Sequence, residues 1–148
     1  MFALAVIVLA AGCSESEQPP VRSTTTMATS KPTTTQVVST LCEAGTGYHA
    51  FLTGLRPNPS AEDLRTRLLQ SATWLGTLST VTDEPLAGRL RVSARIRGEL
   101  AAAAASASSP AEIDALVAQL SPVELAAYQQ PPAEVEALLE TECDLEFD

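Results

Sequence analysis

The chain has 148 residues, with 18 acidic and 9 basic side chains, a net charge of −9, three cysteines and one histidine. This acidity disfavours nucleic acid as a partner, because proteins bind phosphate backbones through clustered Lys and Arg. So few Cys and His side chains leave too few ligands for a metal site. His49 has no nucleophile motif beside it, as a catalytic triad would require. We therefore expect no metal, no cofactor and no enzymatic activity.

Residues 1–12, MFALAVIVLAAG, form an apolar run that ends at Cys13 and is followed by SESE. A permanent span of the ~30 Å hydrocarbon core needs about 20 apolar residues, so this run is too short. The small residues before the cysteine make it resemble the signal peptide of bacterial lipoproteins. That resemblance implies cleavage before Cys13 and acylation of its sulfur. The chain would then be anchored at the extracytoplasmic face of the cell membrane, with the membrane as its partner through the lipid.

Two features depart from this family. Ala10 stands where the family favours Leu, and no Lys or Arg precedes Cys13. The missing basic leader suggests that the natural start lies upstream of Met1. The alternative to a signal peptide is a buried N-terminal strand or helix, but the residues after Cys13 offer it nothing to pack against.

Residues 13–40 comprise the acylated cysteine and a segment rich in Thr, Ser and Pro. The segment has no periodic apolar pattern and cannot bury enough surface to offset the entropy of ordering its backbone. It is therefore predicted to be a disordered tether. A lipoprotein-type anchor supplies at least two acyl chains, which hold a protein at the membrane stably where one does not.

Cys42 and Cys143 remain once Cys13 carries lipid, and they flank nearly the whole of the predicted folded region. Disulfides persist outside the cytoplasm, so we predict a bridge that joins the first helix to the last. The alternatives are two free buried thiols or a metal pair, and the metal pair lacks further ligands.

Residues 41–148 predict an all-α domain, a small bundle of about five or six helices. Ser60 and Asp63 have the spacing of a capping box at the start of the second helix. A third helix is expected from Pro85 into an alanine-rich run. Further helix starts are indicated by three copies of the pattern Pro-x-Glu-aliphatic-x-Ala, at Pro110, Pro122 and Pro132. Ser109 and Ser121 precede the first two copies and are expected to cap those helices, with the glutamate three residues later on the positive end of the helix dipole. We interpret these copies as recurring helix-start chemistry and not as a structural repeat.

Four features of the chain together resemble a group of small actinobacterial secreted proteins and lipoproteins. They are the early cysteine, the helix entered through Glu84-Pro85-Leu86, the alanine-rich centre and the final Glu142-Cys143. The resemblance covers about residues 41–148 and implies a disulfide-closed helical envelope domain of unassigned function. A glycine often follows the last cysteine in that group, where this chain has Asp144.

Basic residues concentrate in the middle of the chain, and none follows Arg97. The simplest interpretation is internal pairing with the acidic C-terminal helices. On a helical wheel Arg89 falls among apolar residues, so it should extend outward or meet a carboxylate. The functional alternative is that Arg91 and Arg95, which share the opposite face, contact anionic lipid or an envelope polymer.

Two functions fit these features. The first is a lipid-anchored envelope protein with a non-enzymatic helical domain that binds an envelope protein or polymer or has a structural role. The second is a carrier that holds a small apolar ligand, lipid or haem, between its helices. The expected ligand contacts of such a carrier are Tyr48, His49, Trp74 and Tyr128.

Overall fold

The computed structural model describes residues 34–147, which form five α-helices and one short 3₁₀ turn without a strand. In chain order the elements are α1 (Thr34–Thr53), α2 (Ala61–Leu78), α3 (Leu86–Ala103), the 3₁₀ turn (Ala104–Ser106), α4 (Pro110–Ala118) and α5 (Pro122–Cys143). The predicted all-α fold and number of helices are confirmed. The signal peptide, Cys13 and most of the predicted tether lie outside the described residues. Helix α1 begins at Thr34, inside the segment 13–40 for which the sequence predicted no regular structure.

Two helices begin with the predicted capping chemistry. At α2, Ser60 Oγ accepts a hydrogen bond from the Asp63 amide, while the Asp63 carboxylate accepts from the Ser60 amide. Ser121 and Glu124 make the same reciprocal pair at α5. Each pair satisfies backbone amides that the first turn of a helix leaves without an internal partner.

The third copy of the proline pattern does not start a helix, and that prediction is wrong. Pro131 and Pro132 lie inside α5, which continues for 22 residues from Pro122 to Cys143. A proline inside a helix lacks the N–H that would bond the carbonyl four residues earlier. Pro131 and Pro132 therefore leave the carbonyls of Ala127 and Tyr128 without their usual partners in α5.

The predicted disulfide is confirmed: it joins Cys42 of α1 to Cys143 of α5 across 101 positions of sequence. Close approach of the same two helices depends on Gly45. A Cβ atom at Gly45 would collide with the side chain of Leu139, which is fully buried. The absence of a side chain at Gly45 thus lets α1 lie directly on the core face of α5.

Two apolar clusters form the core. The first joins α1, α2, α3 and α5 around fully buried side chains, namely Leu75, Leu78, Leu90, Val135 and Leu139. The second lies where α2 and α3 meet the 3₁₀ turn and α4, and is built around Leu68, Ile96, Leu100 and Ile113. The rim of this second cluster and the C-terminal end of α1 enclose the candidate site.

Candidate functional site

Arg97 is a buried cation in the middle of α3, with 8% of its surface exposed. Its Nε donates a hydrogen bond of 2.9 Å to Ser71 Oγ. Its Nη1 donates to Ser93 Oγ at 2.7 Å and to the carbonyl oxygen of Tyr128 at 2.8 Å. The guanidinium also lies 4.0 Å from the centre of the Tyr128 ring, a cation–π contact. All of these partners are neutral.

The prolines of α5 explain one of these contacts. Tyr128 lies four residues before Pro132, so its carbonyl receives no hydrogen bond from within the helix. Arg97 Nη1 and Ser93 Oγ both donate to this oxygen instead, at 2.8 and 3.2 Å. Two donors from α3 thus bond the carbonyl that Pro132 leaves without a partner in α5, and these hydrogen bonds join the two helices.

No carboxylate of the described residues lies within 4.0 Å of the Arg97 guanidinium. Glu136, whose Oε1 accepts a hydrogen bond of 2.9 Å from the Tyr48 hydroxyl, supplies a longer-range attraction. Burial lowers the pKa of Arg97, and burial together with Glu136 raises the pKa of Tyr48. Tyr48 is therefore neutral at physiological pH and donates the hydrogen bond. Arg97 stays charged, as arginine does in proteins.

Arg97 lies against a pocket of about 210 Å³ to which all five helices contribute. We call it the Arg97 pocket. Its apolar lining consists of Phe51, Leu52, Leu55, Leu64, Leu68, Ile113 and Val117. Its polar lining consists of Arg67, Ser71, Arg97, Asp114 and Tyr128. Such a combination of apolar walls with a few convergent polar groups is typical of small-molecule sites.

A larger pocket, of about 360 Å³, lies between α3 and α5 and is lined by Pro85, Gly88, Arg89, Val92, Ala126, Ala127, Gln130 and Pro131. Its one charged side chain, Arg89, forms an ion pair with Glu134 across the two helices. This pair fulfils the expectation that Arg89 would meet a carboxylate, and it neutralises the charge at this pocket. The two cations that line the Arg97 pocket, Arg67 and Arg97, form no such ion pair with any described residue.

The structure does not bring the four predicted ligand-contact residues together. Tyr128 lines the Arg97 pocket. Tyr48 is 2% exposed and belongs to the first core cluster, where Trp74 packs beside it and against Gly47. His49 lies near the C-terminus, where its Nε2 is 2.8 Å from the Glu146 carbonyl oxygen and its ring meets that of Phe147 edge-on.

Arg91 and Arg95, predicted as contacts for an anionic surface, lie exposed on α3. Each is engaged in an ion pair, Arg91 with Glu84 and Arg95 with Glu99. Both acids lie in α3 or just before it, so these pairs are local and differ from the predicted pairing with the C-terminal helices, which Arg89 makes with Glu134. The two acids offset the positive charge that would otherwise attract an anionic surface.

Sequence reasoning missed Arg97, the most deeply buried of the charged side chains in residues 37–147. Two weak signals were available. Ser93 and Arg97 lie one helical turn apart on the apolar side of α3, and a double proline interrupts α5. Neither signal alone indicates that Arg97 Nη1 bonds a carbonyl oxygen 31 positions away.

None of the helices within residues 34–147 is long and apolar enough to cross a membrane. The same part of the chain holds no cluster of three or more His, Cys, Asp or Glu that could bind a metal ion. Comparisons of the sequence with protein-family models, and of the chain with curated proteins and solved structures, found no match.

Proposed function

We propose that the chain is a lipoprotein held at the extracytoplasmic face of the cell membrane. The observation that carries this proposal is the sequence around Cys13, where an apolar run ends in Ala-Ala-Gly-Cys and polar residues follow at once. The Cys42–Cys143 disulfide supports it, because such a bridge persists in an oxidising compartment outside the cytoplasm.

The helical domain is, on this proposal, a non-enzymatic module that binds an envelope protein or polymer or has a structural role. Two features support such a role. Its first apolar cluster is closed around fully buried side chains, and its second is built from buried ones. Its first and last helices are joined by a disulfide, which stabilises a domain of this size beyond what its core supplies.

Metabolic labelling with an alkyne fatty acid in intact cells tests the anchor. The natural chain should incorporate the label and sediment with membranes, and Cys13→Ala should do neither. Cys42→Ala is the matched control, because it also removes one cysteine but leaves the proposed acylation site. A Cys13→Ala variant that still incorporates label and stays with the membrane would refute the anchor.

A second candidate function is the carriage of a small apolar ligand, and the Arg97 pocket favours it. Seven of the pocket's twelve lining residues are apolar. Among the ligands considered for this role, lipid has more support than haem, since His49 contacts the C-terminal segment and does not line the pocket. Mass spectrometry of lipids that co-purify with the chain distinguishes a carrier from an unliganded module.

A further inference from the structure

Arg97 has one guanidinium nitrogen that its surroundings do not use. Nε and Nη1 make three hydrogen bonds, and Nη2 makes none with any described residue. Every fully buried side-chain nitrogen and oxygen of the described residues has a hydrogen-bond partner. Nη2 therefore keeps accessible surface, and Arg97 is one of the residues that line the pocket.

The net charge of the Arg97 pocket is positive. Its charged lining consists of Arg67, Arg97 and Asp114. One carboxylate cannot neutralise two guanidiniums, and no ion pair within 4.0 Å involves any of the three. Arg67 Nη2 donates a hydrogen bond of 2.5 Å to the Arg56 carbonyl oxygen.

The geometry combines this charge with an apolar wall. Leu68 and Ile113 are buried and line the same pocket as Arg97, while Leu55, which also lines it, is 39% exposed. A ligand that fits must satisfy both halves of the pocket. An anion alone would leave the apolar wall uncovered. A hydrocarbon alone would exclude water from the pocket and leave Arg97 Nη2 without a hydrogen-bond partner.

We propose that the Arg97 pocket binds a small amphiphile with an anionic headgroup, either a carboxylate or a phosphate. The headgroup accepts a hydrogen bond from Arg97 Nη2, and the tail lies along Leu64, Leu68 and Ile113. At about 210 Å³ the pocket is smaller than the ~300 Å³ at which sites for drug-sized ligands begin, so the tail is short or leaves through the mouth. This inference rests on the binding role proposed for the helical domain and is independent of the anchor on Cys13.

Equilibrium dialysis of radiolabelled octanoate against the full chain in lipid nanodiscs tests the proposal, with empty nanodiscs subtracted. Saturable binding of one octanoate per chain is expected. Octanol has the same tail without the charge and should compete about tenfold more weakly, the loss expected for one charge-assisted hydrogen bond. Acetate should compete weakly because it lacks the tail. Octyl phosphate distinguishes the headgroups: stronger competition than octanoate assigns the site to phosphate, and weaker competition assigns it to carboxylate.

Two variants locate the bound octanoate without removing Arg97. Val117→Asp places a negative charge in the wall of the Arg97 pocket and should weaken binding at least about tenfold. Val123→Asp makes the same change where the side chain is 80% exposed, and binding should be unchanged. Arg67→Gln should weaken binding a few-fold, whereas Arg65→Gln, on the same helix outside the pocket, should not.

Three results would overturn the proposal: no saturable binding above empty nanodiscs, equal competition by octanol and octanoate, or equal binding by Val117→Asp and Val123→Asp. A failure of octanoate binding in a chain that still incorporates a fatty acid label would remove this ligand and leave the anchor standing. Octanoate binding by a chain that incorporates no label would remove the anchor and leave the ligand.

Discussion

Arg97 Nη1 donates a hydrogen bond of 2.8 Å to the carbonyl oxygen of Tyr128, the residue four positions before Pro132. The contact joins a buried cation of α3 to the point where α5 lacks an internal hydrogen bond. It satisfies one of the two carbonyls that the consecutive prolines leave without a partner within α5. It also fixes the guanidinium with Nη2 directed away from these partners.

The coupling between Arg97 and Pro132 can be measured in a double-mutant cycle. Arg97→Met removes the shorter of the two hydrogen bonds to the Tyr128 carbonyl and the donor to two serine hydroxyls, so we expect it to lower the free energy of unfolding by about 3 kcal/mol. Pro132→Ala restores a backbone N–H that can bond the Tyr128 carbonyl. The double variant should therefore be at least ~1 kcal/mol more stable than additivity predicts. Denaturant unfolding followed by fluorescence of Trp74, the one tryptophan, measures all four proteins.

Pro131→Ala is the matched control for this cycle. It restores the N–H that would bond the carbonyl of Ala127, which Arg97 does not contact. In the Arg97→Met background its effect should be additive. Equal coupling of Arg97 to both prolines would show that Arg97 does not stabilise α5 through its hydrogen bond to the Tyr128 carbonyl.

Gly45 should be intolerant of a side chain. In Gly45→Ala the new methyl group would lie well inside van der Waals contact of a Cδ atom of the fully buried Leu139, so that side chain must shift. We expect the free energy of unfolding to fall by about 1–2 kcal/mol, measured by the same denaturant titration. Gly76→Ala is the control, since nothing lies within 4 Å of its added Cβ atom. It should stabilise α2 by up to ~1 kcal/mol, and equal effects of the two substitutions would contradict the packing of α1 on α5.

The Cys42–Cys143 bridge should account for a large part of the domain's stability. It closes a loop of 101 positions, for which the chain-entropy model allows up to ~4.7 kcal/mol, and 2–4 kcal/mol is typical. We expect the paired substitution of both cysteines by serine to lower the free energy of unfolding by about 2–4 kcal/mol. Cys13→Ser should leave it unchanged. Two alkylatable thiols at these positions in protein isolated from cells would contradict the bridge.

Acidification should destabilise the helix starts. Hydrogen bonds from Ser60 and Ser121 lower the pKa values of Asp63 and Glu124, Arg91 lowers that of Glu84, and the Ser108 amide lowers that of Glu112. A carboxyl with a lower pKa in the folded state contributes stability that is present above its unfolded pKa and is lost as the pH falls through the folded one. The free energy of unfolding should therefore decrease as the pH falls below the ordinary pKa values, 3.8 for Asp and 4.5 for Glu.

Unfolding titrations across this pH range check the prediction. Glu124→Gln keeps a side chain that can complete the capping box but cannot titrate, so the decline with pH should be shallower. Glu140→Gln, which removes an exposed acid near the other end of α5, is the charge-matched control. A decline of the same steepness in both variants would show that the capping carboxylate does not carry the pH dependence.

The features that sequence predicted correctly are local or follow from few alternatives. Ser60 with Asp63 and Ser121 with Glu124 lie within one turn, so their spacing alone specifies the cap. Cys42 and Cys143 were the two cysteines left to pair. The continuity of α5 could not be predicted in this way, because the compensation for Pro132 comes from Arg97 in another helix. Proline at a helix start and proline inside a helix look alike until the tertiary donor is known.

The candidate site was less predictable than the fold for the same reason. Aromatic residues and His49 were the plausible ligand contacts by residue type, yet Tyr48 and Trp74 are used in the core and His49 holds the C-terminal segment. The pocket depends on how five helices converge, and residue type alone does not report that convergence.

The proposed anchor can be tested most directly by mass spectrometry of the N-terminal peptide of the protein isolated from cell membranes. The lipoprotein proposal predicts a mature chain that begins at Cys13, with the mass of a diacylglycerol on its sulfur. A membrane-derived peptide that contains residues 1–12 joined to an unmodified Cys13 would contradict it.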